Sequence, residues 1–370
     1  MMKKFSIFCM IMAFAGMISF QVNAQGNNAE PTLKVGMKAP KLEVGQWFKG
    51  EPVTEFKPGH VYVIEFWATW CGPCRAAMPH LSELSRHYKG KVTFIGLDVW
   101  EHGKEMPEGD FYEKARTFTQ RLGDGMDYTV GADNPDKYLE QNWLNPAGIR
   151  GIPSSFVIDQ KGDIVWIGHP INIDPVLEHV VNGTYNETTK AEIKKAADEQ
   201  AAKNKEHMAK IEEYGNAKDY KNYIATMDKL INENPSRASS YIPIKFKIVL
   251  ESDQKVALKM AKSLLKTEKS NPILLSNVAN SILDSVPSNK KLTKVALSMA
   301  EIVGSRSLEN DFSANQLLAK AYHAQGNVSK AVAAQQVVID FLSSYPSSPQ
   351  IDKMKADAQA ALEKYKNGKK

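Results

Sequence analysis

The strongest constraint on the fold is an apolar, β-favouring run that leads directly into two closely spaced cysteines. Residues 61–66 read VYVIEF, which is typical of a strand buried on both faces. The segment WATWCGPC follows and carries Cys71 and Cys74, and a helical pattern then continues to about residue 88. Two cysteines at such a junction can be a redox dithiol, half of a zinc site or a structural disulfide.

The number of cysteines separates these three possibilities. The chain has three cysteines, and Cys9 lies in an N-terminal leader, so only Cys71 and Cys74 remain for the exported protein. Zinc would need two further ligands, and the eight histidines form no pair at ligand spacing. A disulfide across so small a loop would add little stability. The sequence therefore favours a redox-active Cys71–Cys74 pair and predicts no metal and no cofactor.

The N-terminus has the pattern of a secretory signal peptide. Lys3 and Lys4 precede an uncharged apolar stretch, and Ala24 ends a site suited to signal peptidase, so residues 1–24 are predicted to be removed. An uncleaved membrane anchor is the alternative. Without the two leader lysines the formal charge falls from +5 to +3, which does not suggest nucleic-acid binding. We expect a periplasmic protein that meets the membrane only through its transient leader, with extracellular or anchored forms as alternatives.

Strands and helices alternate in the first half of the chain. After a flexible N-terminus at residues 25–32, residues 33–185 are predicted to form one α/β domain with a mixed sheet and helices on both faces. Asp110 is the expected N-cap of one helix. Besides the elements above, the pattern predicts strands at residues 91–99, 155–158 and 164–167, and helices at 110–122, 135–142 and 174–181.

The second half shows only helical patterns. Residues 186–213 are predicted to form a charged connector helix, and residues 214–370 an α-helical repeat domain. The segment KVALKMA at 255–261 matches KVALSMA at 294–300 in six of seven positions, a spacing of 39 residues. Residues 318–331 resemble one tetratricopeptide repeat, which predicts stacked helical hairpins with a surface for partner proteins.

The dithiol lies where a helix begins, and this position suits thiol chemistry. A thiolate at Cys71 would face the positive end of the helix and its free N–H groups. Pro73 fits the first turn, where no N–H donor is needed. Two intervening residues bring Cys74 within one turn, close enough to attack a mixed disulfide formed at Cys71.

The segment EFWATWCGPC resembles the active-site segment of the thioredoxin superfamily. The sequence GMKAP at residues 36–40 and the long middle part are similar to the TlpA/ResA-like branch of secreted thiol-disulfide oxidoreductases. Pro79 lies where that family kinks its active-site helix, and residues 151–156, GIPSSF, resemble its cis-proline loop. The resemblance covers about residues 33–183 and implies a thioredoxin-like fold.

The resemblance also implies roles for individual residues. Cys71 would attack a target disulfide and Cys74 would resolve the mixed disulfide. Glu65 occupies the position of a buried acid, usually Asp, that takes the proton of the second cysteine. The expected contacts with substrate are Trp70, Gly72, Pro73, Ile152 and Pro153, with a cis bond before Pro153 leaving the backbone of Ile152 free to pair with an extended peptide.

The implied partners are proteins that contain disulfides and an upstream thiol protein that donates electrons. The Gly-Pro pair between the cysteines resembles reducing members of the family, so reduction is the expected direction. One alternative is a repeat-based binding scaffold with an accessory thioredoxin domain. Another is a redoxin-type peroxidase, which the setting of Thr69 and the lack of a preceding proline disfavour.

Overall fold

A computed structural model describes residues 30–101 and 108–367 of the chain. The expected signal peptide and nearly all of the expected flexible N-terminus lie outside these residues. Within the two described ranges, no helix has the length and apolarity needed to cross a membrane.

In the described part of the first half, six strands form one mixed sheet. Strands β2, β3 and β4 are parallel to one another, whereas β1, β5 and β6 run antiparallel to their neighbours. Every residue of β2 is buried, as its continuous apolar pattern predicts. The strands are β1 (Gln46–Lys49), β2 (Val61–Trp67), β3 (Val92–Asp98), β4 (Thr129–Ala132), β5 (Ser154–Ile158) and β6 (Ile164–Gly168), in the order β1-β4-β3-β2-β5-β6.

Side chains of β2 alternate between two cores. Val63 and Trp67 pack beneath the helix that follows the cysteines, together with its Met78. Ile64 and Phe66 pack on the opposite face, in a separate cluster. The helices of this domain are α1 (Gly72–His87), α2 (Glu108–Leu122) and α3 (Asp174–Val181), so the predicted thioredoxin-like fold is present.

Two local predictions were wrong. Helix α2 begins at Glu108, so Asp110 lies inside its first turn and is not the N-cap. The helix predicted at residues 135–142 is a π-helical turn at Glu140–Leu144. The reason is that the carboxylate of Asp133 accepts the N–H groups of Leu139 and Glu140 at 2.8 and 3.1 Å, which ties the preceding residues into a capped loop.

The second half consists of helices wherever it is described. The matching segments at 255–261 and 294–300 fall in α7 and α9, so the repeated pattern recurs in alternate helices. Consecutive helices from α8 to α12 pack on one another. The helices are α4 (Glu187–Ala217), α5 (Tyr220–Glu233), α6 (Ala238–Ser252), α7 (Gln254–Thr267), α8 (Pro272–Ser285), α9 (Lys290–Ser305), α10 (Phe312–Gln325), α11 (Val328–Ser343) and α12 (Pro349–Lys366).

The helical region packs against the α/β domain through the loop between α9 and α10. Arg306 of this loop forms an ion pair with Asp124 at 2.6 Å. Arg121, at the end of α2, donates to the carbonyl of Ser307 at 3.0 Å and to the carboxylate of Glu309 at 2.7 Å. These contacts hold the loop beside α1 and α2.

Candidate active site

The two cysteines lie at the N-terminus of α1, where β2 has just ended. Cys71 is the N-cap residue, and its Sγ accepts the backbone N–H of Cys74 at 3.2 Å. The two residues form a disulfide with their Cα atoms 5.3 Å apart. Pro73 lies in the first turn, as the sequence predicts. An anion on Cys71 would therefore meet an N–H donor and the positive end of the helix.

Neither cysteine is exposed to solvent in the disulfide form. Cys71 is 3% exposed and Cys74 is fully buried. The carbonyl oxygen of Ile152 lies 3.7 Å from Cys71 Sγ and covers part of it. Gly72, Pro73 and Trp70 beside it are exposed, so a partner can approach over them.

The loop that carries Ile152 reaches the dithiol because of the strand pairing. Strand β5 runs antiparallel to β2, with Ser154 opposite Phe66, so the residues just before β5 lie next to the end of β2. The bond between Ile152 and Pro153 is cis, as the resemblance implied. Both residues are half-buried at the surface beside Cys71.

Trp70 has the largest exposed aromatic surface near the dithiol. Its side chain is 57% exposed, and its indole N–H donates to the carbonyl of Trp100 at 3.2 Å. Trp67, by contrast, is fully buried in the core. A rigidly held, exposed indole beside a reactive sulfur is a good surface for docking a protein.

Glu65 is buried beneath α1. It is 2% exposed, and neither carboxylate oxygen has a hydrogen-bond partner among the described residues. Burial raises the pKa of Glu65 to about 8, because an ionised carboxylate there has no water to solvate it. Glu65 lies two residues from both Val63 and Trp67 along β2, so it projects from the same sheet face as these residues, which pack on Cys74.

Two acids that the sequence reasoning missed lie close to this face. Asp98 ends β3 opposite Trp67, and its side chain is fully buried. Glu101 is also buried, and its carboxylate accepts the backbone N–H of Thr69, which fixes the segment just before Cys71. The sequence offered one signal for Asp98, since this residue lies at the carboxyl end of a predicted strand. The carboxyl ends of parallel strands meet at the same edge of a sheet.

Arg75 connects the dithiol helix with the helical region. Its guanidinium lies 3.6 Å from the carboxylate of Asp311 and over the ring of Phe118. Asp311 is 236 residues later in the chain, so nothing local predicts this contact. The pair brings the α9–α10 loop to the first turn of α1, next to the two cysteines.

Among the described residues, no group of three His, Cys, Asp or Glu side chains is arranged to hold a metal ion. The side chains at this site are of the types that thiol chemistry uses: Cys71 at the helix N-cap, the buried Cys74 and the buried carboxyl of Glu65.

The α/β domain is similar in sequence to several known proteins. The family pattern described as thioredoxin matches residues 53–110. Protein FixW of Rhizobium leguminosarum is 29% identical over 168 residues, which are 44% of this chain and 73% of that protein. Thiol-disulfide oxidoreductase ResA of Bacillus thuringiensis is 31% identical over 136 residues, 36% of this chain and 68% of its own. The thiol:disulfide interchange protein DsbE homolog of Paracoccus denitrificans is 31% identical over 155 residues, 41% of this chain and 75% of its own.

Proposed function

Because the chain belongs to the thioredoxin family and is a thiol-disulfide oxidoreductase of the ResA and DsbE type, we propose that it is exported and reduces disulfides of periplasmic proteins. The observation that carries the proposal is the geometry of Cys71. This residue is the N-cap of α1, and its Sγ lies beside the carbonyl of Ile152. Export rests on the leader at residues 1–24, and the reducing direction on the Gly-Pro pair between the cysteines.

The reaction follows from the positions of the two sulfurs. In the reduced protein, the Cys71 thiolate attacks one sulfur of a target disulfide and releases the other as a thiolate. Glu65 first gives up its own proton to solvent and then takes the proton of Cys74. Cys74 attacks Cys71 Sγ, which forms the Cys71–Cys74 disulfide and releases the second target thiolate. The target gains two electrons from the enzyme, its two thiolates take up protons from solvent, and the enzyme must be reduced again by an external thiol protein.

The surface around the dithiol supports binding of an extended peptide. The backbone of Ile152 can pair with a substrate strand, while Trp70 and Pro73 offer exposed apolar surface on the other side of Cys71. Pro153 directly follows Ile152, whose carbonyl oxygen lies 3.7 Å from Cys71 Sγ. We assign substrate contact to these residues and to Gly72.

The helical region would then help to select the protein substrate. The ion pair of Arg75 with Asp311 supports this role, because it brings the α9–α10 loop to the first turn of α1. A folded protein that docks on Trp70 would also approach exposed Asn310 in that loop. The arrangement favours a substrate-selecting role for the helices over a separate scaffold function.

The first test is catalysis by the two cysteines. We expect Cys71→Ser to abolish reduction of insulin, and Cys74→Ser to accumulate mixed disulfides with its substrates. A Cys71→Ser protein that still reduced insulin would contradict the assignment of the nucleophile. A redox potential near that of a strong oxidant, measured against glutathione, would contradict the reducing direction.

The second test concerns the helical region and uses the full chain. A photo-crosslinking residue at position 310, in the Cys74→Ser background, should label the trapped substrate. The matched control carries the same residue at exposed Ala202 in α4. Equal labelling from both positions, or none from position 310, would count against substrate selection by the α9–α10 loop.

A further inference from the structure

We infer that Asp98, Glu101 and Lys114 form a proton path that connects buried Glu65 with solvent. The inference rests on the proposed function of Glu65 as the group that exchanges a proton with Cys74. Cys74 has no exposed surface and Glu65 almost none, so a proton that leaves Cys74 needs a route through the protein. The structure offers one chain of ionisable side chains that leads from Glu65 to the surface.

The inner step of the path is set by the sheet. Strands β2 and β3 are parallel, with Glu65 opposite Gly96 and Trp67 opposite Asp98. Paired residues share a face of a sheet, and residues two apart along a strand share it too. Asp98 and Glu65 therefore project from the same face, beneath α1. On this face the side chains of Trp67 and Tyr128 pack against Gly96.

The inner groups are buried without partners that would fix their protons. The carboxylate oxygens of Glu65, the hydroxyl of Tyr128 and the indole nitrogen of Trp67 lack a hydrogen-bond partner in the described part of the chain. Burial raises the pKa of Asp98 well above its usual range, and the nearby Glu101 raises it further. The pKa of Tyr128 is also raised by burial, so its phenol stays neutral. Asp98 therefore holds a proton more readily than an exposed carboxyl does and can pass it on.

The outer step reaches solvent through one ion pair. Lys114 of α2 donates to the carboxylate of Glu101 at 2.8 Å. The side chain of Glu101 has no exposed surface, whereas that of Lys114 is 33% exposed. Lys114 therefore connects the buried carboxylate of Glu101 with the surface. Protons can thus pass between solvent, Glu101 and Asp98.

The path has a defined task when the enzyme is reduced again. A donor thiolate attacks Cys71 Sγ, the bond between the cysteines breaks, and Cys74 leaves with the electron pair and takes the proton of Glu65. A second donor thiolate then releases Cys71, so the donor becomes a disulfide. Glu65 is left ionised in an apolar site, and a proton from solvent neutralises it through Glu101 and Asp98. In the opposite direction the same groups carry the proton out.

The test measures reduction of the protein's own disulfide by dithiothreitol, followed by tryptophan fluorescence against pH in H2O and D2O. This readout needs no protein substrate, so a failure here is distinct from a failure to reduce insulin. We expect Asp98→Asn to slow the reaction about 10²-fold, which is the lower range for general acid–base catalysis. We also expect a larger solvent isotope effect, because proton delivery becomes limiting. Glu101→Gln should act in the same direction.

Two controls distinguish a proton path from a structural role. Asp127→Asn removes a half-exposed carboxylate one residue from Tyr128 and should leave rate and isotope effect unchanged. In a Glu65→Gln background, Asp98→Asn should cause no further slowing, since residues that act as a unit are not additive. Equal slowing in both backgrounds, an unchanged isotope effect, or slowing by Asp127→Asn as large as by Asp98→Asn would overturn the inference.

Discussion

Replacing Glu65 by glutamine should remove a large pH dependence from the stability of the α/β domain. Burial raises the pKa of this carboxyl from 4.5 to about 8 in the folded protein. In the unfolded chain the group returns to its ordinary value. Between these values the unfolded chain has lost the proton that the folded protein still holds. Rising pH therefore favours unfolding, and the stability that Glu65 retains at low pH is lost as the pH passes 4.5 and approaches 8.

The size of the effect follows from the same two values. Each tenfold difference in proton affinity is worth about 1.4 kcal/mol, so full ionisation of buried Glu65 costs about 5 kcal/mol. Between about pH 5.5 and about pH 8.5 this one carboxyl should lower the free energy of unfolding by about 3 kcal/mol. Glutamine has nearly the same shape and no charge, so the variant should lose this slope. The unpartnered amide of glutamine lowers the free energy of unfolding by about 1–3 kcal/mol at every pH, so it does not change the pH dependence.

The assay can isolate the domain that contains Glu65. All six tryptophans lie between residues 47 and 166, so tryptophan fluorescence during urea unfolding reports on the α/β domain of the intact chain. Wild type and Glu65→Gln are compared in the disulfide form at several pH values. Parallel pH dependence in the two proteins would refute the reasoning, because it would show that Glu65 ionises as easily in the folded as in the unfolded protein.

Two further substitutions test the contact between the domains and the docking surface. Gly125→Ala should loosen the helical region, because an added Cβ would lie 2.6 Å from the carbonyl oxygen of Ser270, and hydrogen exchange in the α9–α10 loop should rise. Gly215→Ala is the control, since its Cβ meets only ordinary contacts, and equal exchange in both variants would contradict this account. Trp70→Ala should raise KM for insulin about tenfold, as for loss of an exposed aromatic anchor, with a smaller effect on a low-molecular-weight disulfide; equal effects on both would exclude a docking role.

The sequence predicts the elements whose signals are local. Strand β2 and helix α1 appear within one residue of the predicted ends, and α3 has the predicted ends, because their apolar periodicity and turn residues are contained in each segment. The short strands β1 and β4 escaped prediction. Each has four residues, and β1 is half-buried throughout, so neither carries a clear alternation.

The residues of the site also differ in whether the local sequence predicts them. Cys71, Cys74 and Glu65 belong to one continuous segment, and the strand–helix junction alone brings them together. Asp98 enters the site only because β3 pairs with β2, and Asp311 only because the helical region packs beside α1. Such contacts depend on tertiary packing, which a pattern along the chain does not contain.

The distribution of cysteines also limits how partners can use this enzyme. Apart from Cys9 in the predicted leader, the chain holds only Cys71 and Cys74, so on the proposed mechanism a donor and a substrate both exchange with the same Cys71 sulfur. Cys74 is fully buried, and the surface open to a partner is the one formed by Trp70, Pro73 and the Ile152 loop. We therefore expect donor and substrate to occupy this surface in turn and to compete for it. A partner whose body extends toward Asp311 meets the helical region, whereas a compact one does not. On the proposed role of the helical region, we expect it to favour one partner over the other without contacting either sulfur.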